Sequence, residues 1–281
     1  MRLIVLAMVF GLGSARAEVI DAHLHMLSPD NFGDKQLTAK QVIPLLDQAK
    51  VGRAVVLSAG YRLREEAKAK VENDFVAKQV AAFPRRLIGF CAVHVLEPWA
   101  VKELERCKKD LKLRGLKLHP NAQQVDLGDA KHLEKLSAVL TKAGELGMPV
   151  IIDSNCKDET AVSNLVKLVF GHPKTTIILA HALNIHFRHL ARFAMLRLEQ
   201  PGAAANVYVD VSGIAAFYGD GPERASIAWH LRKFGTDHVL FGSDFPVFTP
   251  KQSLAALSKF GFTKAELAAI TGGNLARLLP P

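Results

Sequence analysis

Asp21-Ala-His-Leu-His25 places two imidazoles two residues apart in a run that reads as a β-strand. Side chains two apart on a strand point the same way, so His23 and His25 face one side and can hold a metal ion together. Other ionisable residues stand at the ends of later apolar runs. Lys117 and His119 close the run from Gly115, Asp153 closes the run from Pro149, His181 closes the run from Ile177, and Asp244 follows the run from Val239. A single histidine in such a place more often makes a structural hydrogen bond than a metal contact. As a set, these groups would cost stability if buried without partners, and a bound divalent cation satisfies them jointly. Histidine and carboxylate donors suit zinc or a related ion. An open coordination position would let such an ion activate water near neutral pH.

These residues can meet only if the ends of their strands converge. Short β-branched runs lie at Val19–His25, Arg53–Ala59, Leu87–Val93, Gly115–His119, Pro149–Asp153, Thr176–His181, Val207–Val211 and His238–Ser243. Helix-length segments alternate with them, among them Glu65–Ala82, Ala100–Leu111, Ala130–Leu146, Thr160–Phe170 and Pro222–Phe234. Val139, Leu140, Ala143 and Leu146 show the helical three- and four-residue spacing. Alternation of this kind implies parallel pairing. The pattern predicts an α/β fold, a single-domain (β/α)8 TIM barrel over residues 18–281, with its chemistry at the C-terminal strand ends. An open doubly wound sheet is the alternative, but no Gly-rich phosphate loop follows the first run to support it.

The start of the chain reads as a secretory signal over residues 1–17. Arg2 precedes the apolar stretch Leu3–Leu12, and Ser14-Ala15-Arg16-Ala17 offers a small-x-small cleavage pattern. The expected location is the periplasm or the cell exterior, with no membrane span in the mature chain. The formal charge is +9 across 281 residues. Its Lys and Arg residues lie mostly on helix-like segments, as solvated faces do. No aromatic residues are interleaved for base stacking, which argues against a nucleic-acid partner. A positive field does draw anionic small molecules toward a cleft. The three cysteines, Cys91, Cys107 and Cys156, are odd in number and scattered, so no disulfide framework is implied, while a single disulfide in an oxidising compartment stays open. Cys91 reads as a small core residue. His132, His172, His186, His189 and His230 read as surface or structural histidines.

His23-Leu-His25, Gly115-Leu-Lys-Leu-His-Pro120, Leu179-Ala-His181 and Phe241-Gly-Ser-Asp-Phe-Pro246 resemble the amidohydrolase superfamily. The nearest branch is the amidohydrolase-related group that includes aminocarboxymuconate-semialdehyde decarboxylase. Asn206–Ser212 and Gly273–Leu279 also match that branch, so the resemblance spans the whole chain after the signal. It implies one divalent metal, usually zinc, held by His23, His25 and Asp244. It also implies that His181 acts on water or substrate, and that a homodimer is a common assembly. That group usually carries a metal-binding histidine at the end of the fifth strand, where this chain has Asp153. Three readings follow: Asp153 is a fourth ligand, which would favour a harder ion such as manganese; His119 replaces it; or the site has decayed. Lys117, His119 and Ser212 are substrate-pocket candidates, with His94 and Asp210 behind them. Lys117 is also readable as a buried partner of Asp153.

The expected activity is metal-dependent hydrolysis of a carboxylic ester, lactone or amide by activated water, with protons handled by His181 and Asp244. Two alternatives remain: non-oxidative decarboxylation of an unsaturated or aromatic acid, and a non-catalytic periplasmic binding protein.

Overall fold

Eight parallel strands, paired in sequence order, form one sheet in a computed structural model that describes residues 18–280. They are β1 (Ile20–His25), β2 (Arg53–Leu57), β3 (Leu87–Ala92), β4 (Gly115–Leu118), β5 (Val150–Ile152), β6 (Ile177–Leu179), β7 (Val207–Asp210) and β8 (Val239–Leu240). Backbone hydrogen bonds from Ala22 N to Phe241 O (2.8 Å), Asp244 N to His23 O (2.8 Å) and His25 N to Phe245 O (2.9 Å) join the last strand to the first. The expected single-domain (β/α)8 barrel is therefore present. The expected signal at residues 1–17 lies outside the described residues. Among those residues, no helix is long and apolar enough to cross a membrane.

Helices wrap the sheet because their apolar residues recur on one face. In Ala130–Glu145, Leu136, Val139, Leu140 and Ala143 are buried against the strands. Burial of each large apolar side chain contributes about 1.5–3 kcal/mol. Asp129 starts this helix by accepting hydrogen bonds from the Lys131 and His132 amides, donors that would otherwise lack partners. Asp158 caps the helix Glu159–Phe170 in the same way, through the Ala161 amide.

Two apolar layers result. One lies between strands and helices. The other fills the barrel and includes Val55, Phe90, Ile151, Ile178 and Leu240, with Leu275 and Leu279 from the C-terminal helix packed against it. The Phe90 ring takes the space beside Gly115, where an added Cβ would come within 2.3 Å of it. Lys117, the next inward residue of β4, lies beyond this apolar floor, and a low-dielectric environment beneath a charged site strengthens its electrostatics.

The strands end earlier than their apolar runs suggest. β8 has only two residues, and β6 stops at Leu179. Beyond these points the backbone turns to aim polar side chains inward. His181 and Asp244 have φ of 57° and 61°, and Ala182, Leu183 and Asn184 continue the left-handed run. This conformation costs L-residues roughly 1–2 kcal/mol each and concentrates where surrounding structure enforces it. β1 also slips register between Asp21 and Leu24. That shift lets Ile20 and Ala22 join the barrel interior, while Leu24 joins the outer layer.

The core reading of Cys91 holds, and the pairing that the sequence left open is present. Cys91 is a buried core residue, but it is also disulfide-bonded to Cys107, with the Cα atoms 6.1 Å apart. β3 and the helix Ala100–Lys109 that follows it pack side by side, which brings together residues 16 apart in sequence. Cys156 is free and buried.

Candidate metal centre and active site

His23 and His25 leave β1 facing the barrel mouth, as their spacing predicts. The Nε2 atoms of His23 and His25 stand 3.5 and 3.4 Å from Asp244 Oδ1. Donor atoms of these three residues all lie within 4.8 Å of one another, as do those of His23, His181 and Asp210. His23 Nδ1 donates to Asp210 Oδ2 at 3.0 Å. That bond fixes the tautomer and turns the Nε2 lone pair into the site, an arrangement common behind metal-ligating histidines. Burial lowers the His23 pKa to about 4 and also lowers that of His25, so both stay neutral. Burial opposes the charge on Asp244, but the His25 hydrogen bond and nearby imidazoles hold its carboxyl well below the usual range. Two neutral imidazoles and one carboxylate converging on a buried space make a donor set that fits a divalent ion.

Asp21 anchors this arrangement from beneath. Its Oδ1 accepts the His23 amide at 3.0 Å and the Ser243 amide at 2.9 Å, tying β1 to the loop after β8. Burial raises its pKa to about 7, and its buried Oδ2 has no partner.

His181 sits beside the trio, its ring 5.0 Å from that of His23. Strict alternation would turn it outward, since Ile177 and Leu179 belong to the outer layer; the positive φ turns it back. Its Nδ1 donates to the Ser212 carbonyl at 2.9 Å and its Nε2 donates to Asp153 Oδ2 at 3.2 Å. Burial disfavours its charge, but the Asp153 hydrogen bond and the charges of Asp210, Asp153 and Asp244 outweigh burial and raise its pKa to about 9. Gly213, at φ 66°, keeps space open between the two reactive side chains. A Cβ there would lie 3.4 Å from His181 Nδ1 and 3.6 Å from Asp244 Oδ2.

Asp153 pairs with His181 and stands 3.6 Å from His119 Nδ1. Among the described residues, it belongs to no group of donors close enough to share an ion. His119 accepts the Ala122 amide at Nδ1, and burial lowers its pKa to about 4. Lys117 differs from the partner of Asp153 considered above. Its Nζ donates to His23 Nε2 at 3.2 Å, and burial lowers its pKa. An ion held at this nitrogen would displace that contact. Ser212 corrects another expectation: it is fully buried behind the imidazoles, with Oγ 3.1 Å from His23 Nδ1 and 3.0 Å from His181 Nδ1, and it lines neither cleft. Asp210 is the hub behind the site, also accepting the His181 and Ser212 amides at 3.1 and 3.0 Å.

Two clefts meet over Asp153, His181 and Asp244. One, of 470 Å³, is walled by apolar side chains that include Ile185, Ile214, Phe217 and Phe248. The other, of 290 Å³, is polar and contains Tyr61, Arg62, Lys117 and His119. Sequence reasoning missed Tyr61 and Arg62. They lie in the loop after β2, the same strand-end position that exposed the other residues, but no histidine or carboxylate marks it. His186 and His189, read as surface or structural, are nearly buried and both contact Glu159.

A family model described as Amidohydrolase matches residues 20–280. The chain belongs to the amidohydrolase family. Membership brings an enzyme family with it, and the donor set supports a divalent metal. Among solved structures, a 5-carboxyvanillate decarboxylase from Sphingomonas paucimobilis is 15% identical, with a TM-score of 0.70 over 93% of this chain and 98% of that one. A dihydroxybenzoic acid decarboxylase from Polaromonas, with bound manganese and the inhibitor 2-nitroresorcinol, is 18% identical, with a TM-score of 0.69 over 93% and 96%. A probable 2-pyrone-4,6-dicarboxylic acid hydrolase from Acinetobacter baumannii, with citric acid bound, is 18% identical, with a TM-score of 0.63 over 93% and 98%. At these identities the likeness is one of fold.

Proposed function

We propose that this amidohydrolase opens an ester, lactone or amide bond in a ring-sized substrate that carries a carboxylate. The observation carrying the reading is geometric: Asp244 Oδ1 stands 3.5 and 3.4 Å from the Nε2 atoms of His23 and His25, with the His181 ring 5.0 Å from that of His23, and the surroundings hold the Asp244 carboxyl low and the His181 imidazole high. Groups whose pKa values are pushed apart in this way divide base and acid roles between them. His23, His25 and Asp244 would hold the ion. Two imidazoles and a carboxylate suit zinc, with manganese the alternative ion. Bound there, the ion supplies Lewis acidity. Asp244 takes a proton from the attacking water, and His181 returns one to the leaving oxygen or nitrogen. Asp153 keeps His181 charged and oriented. Arg62 and Tyr61 meet the substrate carboxylate, and Ile214, Phe217 and Phe248 cover its ring and exclude water. Ile185, Phe217 and Val247 are 59%, 74% and 65% exposed around this charged centre, an apolar rim that supports a substrate with a ring.

Decarboxylation is the second reading. The protonated His181 beside the apolar cleft favours it, because a ring carbon losing carbon dioxide must receive a proton. The decarboxylases and the hydrolase that share the fold make an acid substrate the natural one to try under either reading. The extracytoplasmic location is also a proposal. The Cys91–Cys107 disulfide supports it, since disulfides persist in oxidising compartments.

The test is turnover of pyrone carboxylates and hydroxybenzoates by protein stripped with chelator and reloaded with zinc or manganese. Metal-dependent ring opening without carbon dioxide supports hydrolysis. Carbon dioxide release selects the second reading. Turnover that survives full metal removal overturns both, and tight ligand binding without turnover selects a binding protein.

A further inference from the structure

Glu159, His186 and His189 form a second cluster away from the barrel axis, with donor atoms within 4.8 Å of one another. Glu159 opens the helix after β5, and the two histidines belong to the segment Ala180–His189 after β6. His186 Nδ1 stands 3.1 Å from Glu159 Oε1, and His189 Nε2 closely contacts Glu159 Oε2. The imidazoles are nearly buried, while the Glu159 side chain is 71% exposed and opens the cluster to water.

The hydrogen bonding of His186 points to a missing positive charge. Its Nε2 lies 3.2 Å from the Cys156 carbonyl, which can only accept, so Nε2 carries the proton. In the neutral ring Nδ1 is then a bare lone pair aimed at a carboxylate oxygen. Two lone pairs do not hold one another at hydrogen-bond distance; either a proton or a cation must lie between them. A ligating imidazole whose other nitrogen donates to a backbone carbonyl is the usual orientation around a metal. His189 Nδ1 is buried without a partner, so His189 has only its Nε2 contact to the carboxylate. A zinc ion about 2.0–2.2 Å from each donor needs donors roughly 3.3 Å apart, and His186 Nδ1 already stands 3.1 Å from Glu159 Oε1.

We infer that Glu159, His186 and His189 form a second divalent-metal site, of the zinc class, that clips the loop after β5 to the segment after β6. Water completes its coordination on the exposed side. The two joined segments carry Asp153 and Asn155, and His181, Asn184 and Ile185, all of which line the apolar cleft. The site does not depend on the reaction proposed above.

The experiment is zinc titration of chelator-stripped protein by calorimetry, comparing the wild type with Glu159→Ala, His189→Ala and Asp244→Asn. Glu159 is exposed, but its truncation strips His189 Nε2 of its partner, so the Tm of each stripped variant is read beside its stoichiometry to separate lost binding from lost folding. The expected result is that Glu159→Ala and His189→Ala each bind one equivalent fewer than the wild type, whatever the barrel holds. Asp244→Asn should keep that equivalent. The zinc-induced rise in Tm should also be smaller in Glu159→Ala than in the wild type. Equal stoichiometry in the wild type and Glu159→Ala would mean that a proton fills the gap, and would overturn the inference. So would an Asp244→Asn protein that binds no zinc at all.

Discussion

Asp210→Asn tests the geometry behind the metal centre without touching a ligand. Asp210 Oδ1 gathers the His181 amide, the Ser212 amide and the Ser212 hydroxyl, while Oδ2 alone receives His23 Nδ1–H. An asparagine keeps the three donors on its single oxygen. Its NH2 must then face His23, and two donors cannot bond. His23 responds by moving its proton to Nε2, which removes the lone pair aimed at the ion. The hydrogen bond lost is one to a charged group, worth about 1.5–3 kcal/mol. At 1.4 kcal/mol per factor of ten, metal affinity should fall roughly 10- to 100-fold. Competition against a chromophoric chelator measures it directly. Thermal unfolding of the stripped protein serves as the control and should lose no more than that one hydrogen bond, because the backbone donors keep their acceptor. If Asp210→Asn binds the ion no more weakly than the wild type, Asp210 does not set the tautomer and His23 is not a ligand through Nε2.

Further outcomes follow from other contacts. Asp153→Asn removes the hydrogen bond that does most to raise the His181 pKa. Activity that needs protonated His181 falls as pH rises through about 9 in the wild type, and in the variant this alkaline limb should move toward neutral pH; an unmoved limb would clear His181 of the acid role. Gly115→Ala would press a methyl into Phe90 and should destabilise the fold by about 1–3 kcal/mol, as overpacking does, read from urea unfolding. Reducing the Cys91–Cys107 bridge, which spans 16 residues, should cost about 3 kcal/mol by relief of a constraint on the unfolded chain. Unfolding curves with and without reductant would check it.

The parts of this molecule legible in its sequence are those governed by short periods. His23 and His25 needed only the two-residue repeat of a strand, and the helix Ala130–Glu145 only the helical spacing of its buried residues. His181 was legible by type but not by orientation, since its inward aim depends on a left-handed residue that alternation forbids. Ser212 stands on the correct strand end but faces the backs of the imidazoles, a difference of side-chain direction that spacing does not encode. Arg62 sits in a loop where no apolar run ends on a charged group. The Cys91–Cys107 bridge and the Glu159–His186–His189 cluster join neighbouring elements whose side-by-side packing residue spacing does not encode.

The seam between β8 and β1 carries a wider consequence. β8 contributes just two regular residues, so the last stave of the hoop is fastened to the first by a few backbone bonds and by the Asp21 carboxylate, which holds the His23 and Ser243 amides. The backbone bonds survive a change of side chain; the Asp21 clasp does not. A lineage that abandoned catalysis could let His23 and Asp244 drift, and its descendants would be expected to keep Asp21 long after their substrate was gone.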